Sequence, residues 1–547
     1  MKGIDCRSLA RWAGQLFASW AQPQAAARYL DRMMSEHDRA APSWLPYLDL
    51  VCVTIAGGLW YASHQWWPLA IAAAPWLIRI ALTGRLSQRT VFDVPLVLFL
   101  LTAVVGIWAA YDREAAWGRF WMIVGGVFVF YALANAESAG RLRAWYLALF
   151  GAGVAAHFLL THDWEAYATK IDFLARLGQA LQPPLPPLPG PHPNPNVAGG
   201  TLAMLLPFAG LVVVRARRDL REAPQPRPAG LWLALGLGLV SLVLVAFGLV
   251  MTISRSSWIA VLGALLLAGM WLVAGRLSRA NPARRGWIFA GLLGLGLVIA
   301  LVAILAVPGV IDALLDALPG PGSIGARADL RRNSLTLLRD YPLTGIGLDS
   351  FLMTYSSYVM LLHVGYAEHA HNLFLDVAVE QGLPALLILL WMCVLFFRQF
   401  WRDQMGPEAR QRSSEMGAAA LSLLVILLHG LADDPLYKSH AVLLFFVPLA
   451  FAGPPARQHW LASRWRAVGL PVVLLLLLGL ALVWREPILS LVYSNLGAVH
   501  QSQAELGVYS WPEWPIQDAV RREVDLGQPV AEFERALALD PRNATAN

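Results

Sequence analysis

Long apolar runs separated by short polar loops dominate the pattern of the chain. A helix needs about 20 predominantly apolar residues to cross a bilayer, so the pattern predicts an all-α, polytopic membrane protein with about 13 transmembrane helices. The runs fall near 46–63, 66–83, 91–110, 117–135, 145–160, 196–214, 230–252, 257–275, 286–307, 371–397, 416–432, 440–453 and 467–484. The run at 440–453 is the shortest of them.

The composition supports the same class. Of the 547 residues, 57% are hydrophobic and 14% are charged, whereas a soluble domain carries about 25% charged residues. Two of the three cysteines lie in apolar runs, so no disulfide framework is indicated. We therefore expect membrane lipids to surround most of the chain, and we expect no nucleic-acid partner.

Arginine is distributed unevenly between alternate loops. One set of loops carries about 20 arginines, which the positive-inside rule assigns to the cytoplasm. The other set holds little beyond Arg113, Arg255 and Lys438. This predicts a cytoplasmic leader (1–45), a transmembrane domain (46–484) and an extracytoplasmic soluble tail (485–547). The two long loops at 161–195 and 308–370 would also lie outside.

Arginines also occur in two segments that the positive-inside rule places outside, where few basic residues are expected. Arg255 lies in "MTISRSSWIAV", between two spans joined by almost no loop. A charge inside the bilayer costs at least about 2.5–3.5 kcal/mol, so such an arginine either faces a cavity or snorkels to the interface. In the large outer loop, leucine spacing predicts an amphipathic helix over 326–340. Arg327 and Arg331 would share one face of it, either as lipid-headgroup anchors or as phosphate ligands.

A polar cluster opens the span that follows this loop, in "EHAHNLFLDVAVEQGLPALL". A helix N-terminus presents unpaired N–H groups and suits an anion. His371 could be a simple cap, and Glu368, His369 and His371 could hold a metal, although three ligands within four residues make poor tetrahedral geometry. Asp433, in "HGLADDPLYKSH", would lie at the same level, or would serve only to solvate a helix end.

Five segments resemble motifs of the O-antigen ligase and O-antigen polymerase superfamily, in the right order over roughly 190–440. "HAHNLFLDVAVEQGLPALL" resembles the signature helix, and "DYPLTGIGLDSF" resembles the Pro-Leu-x-Gly-x-Gly element. "ISRSSWIAV", "HPNPNVAGGTLAMLLP" and "HGLAD" resemble the Ser-Arg-Ser segment, the Asn-rich start of a span and a late span ending in Asp. Arg327 stands at the Arg of an Arg-x-x-x-Trp motif, but Arg331 replaces the Trp.

The resemblance implies a metal-independent, inverting glycosyltransferase that needs no cofactor. Its donor would be a glycan on undecaprenyl pyrophosphate, and its acceptor a hydroxyl on a lipid, a growing glycan or a protein. The reaction would take place on the outer face of a bacterial cytoplasmic membrane. His371 would act as the base, because neutral histidine takes a proton near pH 7. Arg255 and Arg327 would bind the diphosphate bidentately. The expected substrate-binding residues are Arg331, Arg332, Asn196, His369, Asn372, Asp433 and Tyr355.

Other functions remain open at this stage. An O-antigen or exopolysaccharide polymerase and a protein O-oligosaccharyltransferase share the same chemistry and differ in the acceptor. An anion or solute transporter is the alternative of another class. A transporter needs a site near the membrane midplane with access from both sides, whereas Arg255, Arg327, His371 and Asp433 all map to one face, which favours the enzyme.

The C-terminal tail has a different character. Its last stretch, "VAEFERALALDPRNATAN", resembles the end of a tetratricopeptide repeat, and the chain stops where a further helix would begin. About three repeats are usually needed for a stable array, and one coincidental amphipathic helix is the alternative. A continued array would offer a surface for a protein partner. The residues that carry the resemblance are Phe533, Ala536, Leu537, Pro541 and Asn543.

Overall fold

The computed structural model describes residues 42–63, 65–139, 141–165, 171–181, 193–279, 281–306, 321–362, 365–405, 409–452, 479, 482–509, 520 and 522–547. Within these ranges the regular elements are helices, and no strand occurs. The predicted leader and most of the predicted span at 467–484 lie outside the described residues.

The helices are numbered here in chain order. They are α1 (Leu45–Ser63), α2 (Leu69–Thr83), α3 (Asp93–Ala109), α4 (Arg113–Asn135), α5 (Leu142–Thr161), α6 (Asp172–Leu181), α7 (Pro195–Glu222), α8 (Ala229–Met251), α9 (Arg255–Leu277), α10 (Arg285–Ala306), α11 (Pro321–Asp340), α12 (Phe351–Tyr358), α13 (Leu373–Met405), α14 (Ala409–Gly430), α15 (Arg485–Leu506) and α16 (Gly527–Leu539).

Seven helices of the described chain are long and apolar enough to cross a membrane: α1, α4, α5, α7, α8, α9 and α13. The helices α2 and α3 and parts of α10 and α14 are apolar but shorter. On α9, Ile259, Leu262 and Leu266 are exposed, which is the pattern of a surface that contacts lipid. The chain is therefore an integral membrane protein, while the predicted number of about 13 spans is not confirmed by the part of the chain that the structure describes.

The predicted span at 440–453 has a different structure. It forms two short 3₁₀-helices, His440–Leu444 and Val447–Phe451, and not one continuous helix. Pro448 lies in the first turn of the second one, where its missing N–H prevents a helix from running through. Phe446 and Val447 are buried in the core beside α4 and α14. The apolar composition of this segment therefore reflects burial in the protein.

The Pro-Leu-x-Gly-x-Gly loop packs directly on a kink in α13. Gly382 interrupts that helix with a φ of 78°, and Gly345 has a φ of 69°. A Cβ on Gly345 would lie 2.4 Å from the carbonyl carbon of Glu380, and one on Gly382 would lie 2.4 Å from the oxygen of Leu343. Both glycines are required by this close approach and by their backbone conformation. The contact fixes the loop after α11 against the helix that begins beside His371.

The C-terminal tail forms a helix pair that docks on the same loop. Phe533 of α16 packs against Gly497 of α15. Asn495 of α15 accepts a hydrogen bond from the N–H of Leu343 at 2.9 Å, and Tyr341 donates to the carbonyl of Ala498 at 3.1 Å. The tail therefore lies on the same side of the bundle as the loop. A tetratricopeptide fold is not established by this pair, and the repeat assignment stays a prediction.

Candidate active site

Segments that are far apart in sequence meet at one end of the helical bundle. Asn196, at the start of α7, donates to Oδ2 of Asp433, in the loop after α14, at 3.2 Å. Ser256, at the start of α9, contacts Nε2 of His429 at 2.9 Å. Arg331 of α11 donates to the carbonyl of Ala432 at 2.9 Å. The four loops assigned to one membrane face thus converge, although which face they occupy stays a prediction.

Two glycines allow the start of α7 to enter this junction. A Cβ on Gly199 would lie 2.7 Å from Cβ of Ser254, and one on Gly200 would lie 2.4 Å from Cγ of Pro435. The sequence "NPNVAGGT" therefore gives α7 a capped start followed by a surface without side chains. This surface lets α7 approach both the start of α9 and the loop that carries Asp433.

His371 and Asp433 form the centre of the junction. Nδ1 of His371 lies 2.7 Å from Oδ1 of Asp433. The His371 side chain is 30% exposed and the Asp433 side chain is 3% exposed. With Nδ1–H donated to the carboxylate, Nε2 is the ring nitrogen that can accept a proton. This arrangement is that of a general base oriented by a buried acid.

Several groups hold Asp433 in its ionised form. Burial alone would raise the pKa of Asp433, but the hydrogen bond from His371 and the charges of His371 and Arg327 lower it below its ordinary value. Arg327 lies 3.5 Å from Oδ2, and the N–H of Asp434 donates to Oδ1 at 2.9 Å. The carboxylate is therefore held on both of its oxygens.

The backbone at His371 adopts an unusual conformation that its neighbours stabilise. Its φ is 52°, in the left-handed region that costs a non-glycine residue on the order of 1 kcal/mol or more. Asp376, which is buried, accepts hydrogen bonds from the N–H of Ala370 at 2.7 Å and of Asn372 at 3.3 Å, one on each side of His371. Asn372 caps α13 by accepting from the N–H of Leu375 at 3.0 Å.

The arginines of α11 differ in what they contact. Arg331 donates to the carbonyl of His371 at 3.2 Å as well as to Ala432, so its guanidinium bridges the two loops. Arg327 is a third exposed, and Arg332 is exposed. The predicted amphipathic helix is thus present, with Arg331 turned to the protein and Arg327 accessible beside Asp433.

A cavity of about 1120 Å³ lies next to His371. Tyr355 contributes to its wall, but this ring is buried and stacks on Phe351 with 5.2 Å between centroids. Tyr366 is 59% exposed and presents a more accessible face for a sugar. The other polar residues that line the cavity are Arg327, Asp329, Arg332 and Asn333.

The remaining predicted residues lie close to this centre or brace it. The rings of His369 and His371 have centroids 4.1 Å apart, and Nδ1 of His369 lies 3.5 Å from Asp376. Arg255 begins α9 between Ser254 and Ser256, both of which belong to the junction. Its assignment to the diphosphate stays a prediction.

A metal ion has one candidate set of ligands among the described residues. His369, His371 and Asp433 each offer an atom within 4.8 Å of the others. This set differs from the three neighbours considered in the sequence, because Asp433 takes the place of Glu368, which is exposed. In the present arrangement Nδ1 of His371 is already bonded to the carboxylate, so a metal would have to replace that bond.

Sequence reasoning missed two members of the junction, Asp376 and His429. A carboxylate inside an apolar span is expensive unless it has partners, and Asp376 lies four residues after Asn372, on the same helix face. That signal was present in the sequence. The contact between His429 and Ser256 joins α14 to α9 and has no local signature.

Comparison with known proteins bears on residues 240–390, which match a family model described as O-antigen ligase. The match confirms the resemblance to the O-antigen ligase superfamily. No curated protein matches the chain. The matched O-antigen ligase domain runs from within α8 into α13 and includes Arg255, Arg327 and His371, whereas Asn196 and Asp433 lie outside it. The domain and the apolar helices together support an O-antigen ligase-like membrane glycosyltransferase.

Proposed function

We propose that the protein transfers a glycan from undecaprenyl pyrophosphate to a hydroxyl acceptor, as an O-antigen ligase does, on the outer face of the bacterial cytoplasmic membrane. The observation that carries the proposal is the contact of His371 with Asp433 at 2.7 Å beside the cavity. Asp433 and Asn196 lie beyond the matched domain, yet they complete the same junction.

His371 acts as the general base. Nε2 takes the proton of the acceptor hydroxyl as its oxygen attacks the anomeric carbon of the donor. Asp433 holds the ring through Nδ1 and stabilises the positive charge that develops on it. Base assistance of this kind is worth about 10²–10⁴ in rate.

Arg327 and Arg255 stabilise the leaving group. The bond between the anomeric carbon and the diphosphate oxygen breaks, and the negative charge passes to the diphosphate. A guanidinium binds such oxygens bidentately and stays charged. Arg327 is accessible and lines the cavity beside His371, where a diphosphate can reach it. Attack from the opposite face of the sugar inverts the anomeric centre.

The position of the cavity fits a lipid-linked donor. It lies between α11, α12 and the segment that leads into α13, beside the end of the apolar helices, so a polyprenyl chain can remain in the bilayer while the diphosphate enters. Exposed Tyr366 and Arg332 offer contacts for sugars. The volume accommodates several sugar residues of the donor or of the acceptor.

The direct test uses purified protein with a lipid-linked oligosaccharide and candidate acceptors. Release of undecaprenyl pyrophosphate together with transfer of the glycan is expected, and EDTA should leave the rate unchanged. Transfer to a lipid identifies a ligase, to a growing glycan a polymerase and to a peptide a protein glycosyltransferase. Loss of activity with EDTA and recovery with zinc would instead support the metal set of His369, His371 and Asp433.

A further inference from the structure

A second cavity lies at the other end of α7, far from the candidate active site. It has a volume of about 430 Å³ and lies between the end of α7 and the beginning of α8. At 1.5 Å per residue, Arg217 lies about 30 Å along α7 from Asn196. A ligand of this cavity is therefore distinct from the donor bound at His371.

Three arginines line this cavity. Arg217 and Arg221 are four residues apart and share one face of α7, and Arg227 approaches from the segment that leads into α8. All three are exposed. Their guanidinium groups concentrate positive charge at the mouth of one small cavity.

The carboxylates of the same turn are held by other arginines. Arg141 binds Asp219, with one of its contacts at 3.0 Å, and Arg218 binds Glu222 at 2.7 Å. Asp219 and Glu222 are thus directed toward arginines that do not line the cavity. The positive charge at the mouth of the cavity is therefore available to an anion from outside the protein.

The opposite wall of the cavity is apolar. Leu235 and Leu239 of α8 line it, and Leu239 is 44% exposed. Trp232, one turn earlier, is 55% exposed, at the level where aromatic side chains mark the membrane–water interface. A ligand in this cavity therefore meets arginines at one end and a lipid-facing surface at the other.

We propose that this cavity binds the phosphate headgroup of an anionic phospholipid, with an acyl chain along Leu235 and Leu239. Basic pockets between transmembrane helices are typical sites for such headgroups. The positive-inside rule accounts for arginines in this loop, and the helix dipole favours them at the end of α7. Neither accounts for their convergence with an apolar wall around one cavity.

The test compares two triple variants of the full-length protein in neutral detergent. The first is Arg217→Gln with Arg221→Gln and Arg227→Gln. The control is Arg276→Gln with Arg279→Gln and Arg284→Gln, which removes the same charge from exposed positions of another arginine-rich loop. Phosphatidylglycerol, phosphatidylcholine or inorganic phosphate is titrated, and binding is followed by native mass spectrometry and by the lipid-induced shift in melting temperature.

The wild type and the control should bind phosphatidylglycerol, while the cavity variant should bind it about 100-fold more weakly. A parallel variant with lysine at all three positions keeps the charge and the helix-end effect, and it should lose only part of the affinity. An equal loss in the control would overturn the site in favour of diffuse surface charge. Equal binding of phosphatidylcholine, or competition by inorganic phosphate at the same concentration, would also overturn it.

Because neither triple variant includes a residue of the candidate active site, transfer activity separates this inference from the proposed function. If the cavity variant unfolds without lipid, Arg221→Gln alone is compared with Arg279→Gln. A selective fall in phosphatidylglycerol binding for Arg221→Gln is then expected, and equal binding by the two single variants would reject the site.

Discussion

Two regions of the molecule contain a short histidine–carboxylate contact: His371 with Asp433 at the bundle end, and His500 with Glu532 in the C-terminal tail. In both, Nδ1 of the histidine lies 2.7 Å from a carboxylate oxygen. The surroundings of the two pairs differ. Asp433 is almost fully buried, and it also accepts a hydrogen bond from Asn196 and forms an ion pair with Arg327. In the tail, the additional contact is between the His500 ring and the side-chain amide of Gln528, at 3.0 Å. His371 borders a cavity of about 1120 Å³, while His500 packs edge-on against Trp108.

The comparison teaches that a short histidine–carboxylate contact does not by itself mark a catalytic site. The same contact joins α15 to α16 in the C-terminal tail. At the bundle end, the Arg327 guanidinium and the backbone N–H of Asp434 also contact the acid, and the histidine stands in a backbone conformation that neighbouring residues must hold. Preorganisation of the acid and access for a substrate distinguish the pair at the bundle end.

Arginines give the same lesson at the two ends of the bundle. At the end away from His371, Arg143 and Arg215 both bind Glu415, and the three side chains are largely buried. Arg327, in contrast, reaches Asp433 only at 3.5 Å and remains a third exposed. An arginine whose charge is matched within the fold stabilises packing, while one that remains accessible beside a cavity can bind a diphosphate.

The largest expected difference between the two histidine pairs is in turnover. His371→Ala should lower the rate of glycan transfer about 10²–10⁴-fold, because the general base is lost, while donor binding stays nearly unchanged. His500→Ala removes a contact of the same length and should leave transfer close to wild type. Release of undecaprenyl pyrophosphate and equilibrium binding of the donor measure the two quantities. A rise in the donor dissociation constant without a change in rate would make His371 a phosphate ligand.

The acids should differ in the same way. Asp433→Asn removes the charge and turns an amide N–H₂ toward Asn196 and Arg327, which are themselves donors. Transfer should fall about 100-fold or more through kcat, as when the acid of a catalytic triad loses its charge. Glu532→Gln is the matched control, and comparable activity in both variants would remove the special role of Asp433.

The pH dependence sharpens this prediction. The pKa of Asp433 is lowered, so its contribution to stability is present at neutral pH and is lost only as the pH falls through the lowered value, below the ordinary 3.8. Asp433→Asn should therefore lower the melting temperature at pH 5.5 at least as much as at pH 8, because Asp433 stays ionised over this range and its charge also helps to raise the pKa of His369. A destabilisation that vanishes at pH 5.5 would mean that Asp433 is already protonated there.

Arg327 tests the comparison of the arginines. Arg327→Ala should slow transfer about 10–100-fold, because a charge-assisted contact to the leaving group is worth about 1.5–3 kcal/mol. Lysine should restore only part of the rate, since it cannot bind bidentately. Arg339→Ala, on the same helix and exposed, is the control. Normal activity of Arg327→Ala would show that this residue is a lipid anchor. Arg255→Ala should also slow transfer, and normal activity would likewise remove Arg255 from the diphosphate site.

Periodicity and hydropathy predicted the helical membrane fold and the amphipathic helix that carries Arg327. They failed at 440–453, because burial inside a bundle and burial in lipid give the same apolar composition. Lys438 illustrates the limit of charge counting, since this exception to the positive-inside rule is buried in an ion pair with Glu380. Such a pairing depends on contacts between distant segments, which a single sequence does not contain.

For the candidate site, the motif segments identified which loops to consider, and the structure supplied their pairing. His371 and Asp433 were both selected from the sequence, but their contact was not, because they lie in different loops 62 residues apart. Arg331 was expected to bind substrate, and its hydrogen bonds to two backbone carbonyls give it a bracing position. Asp376 was missed although its place in an apolar helix was visible.

The smallest expected effect concerns a third histidine–carboxylate pair, His369 with Asp376, whose 3.5 Å separation is longer than in the other two. Asp376→Asn keeps an acceptor for the N–H of Ala370 but loses the charge beside His369. Transfer should fall about tenfold, because the His371 backbone is held less firmly in its left-handed conformation. His369→Ala, which leaves the backbone contacts of Asp376 intact, should have a milder effect on the rate.

The pH dependence of the unfolding free energy distinguishes two roles of Asp376. One is the charge beside His369, and the other is the acceptor for the backbone N–H groups of Ala370 and Asn372. Burial lowers the pKa of His369, but the hydrogen bond and the charge of Asp376 raise it above its ordinary value of 6.5. A raised histidine pKa contributes stability that is fully present below 6.5 and is lost as the pH rises through the raised value. The wild type should therefore exceed Asp376→Asn in unfolding free energy by on the order of 1 kcal/mol more at pH 5.5 than at pH 9. Thermal unfolding of both proteins across this range measures the difference. A gap that does not change with pH would show that Asp376 acts only through the backbone N–H groups on either side of His371, and the third pair would then resemble the tail's structural contact more than the pair at the cavity.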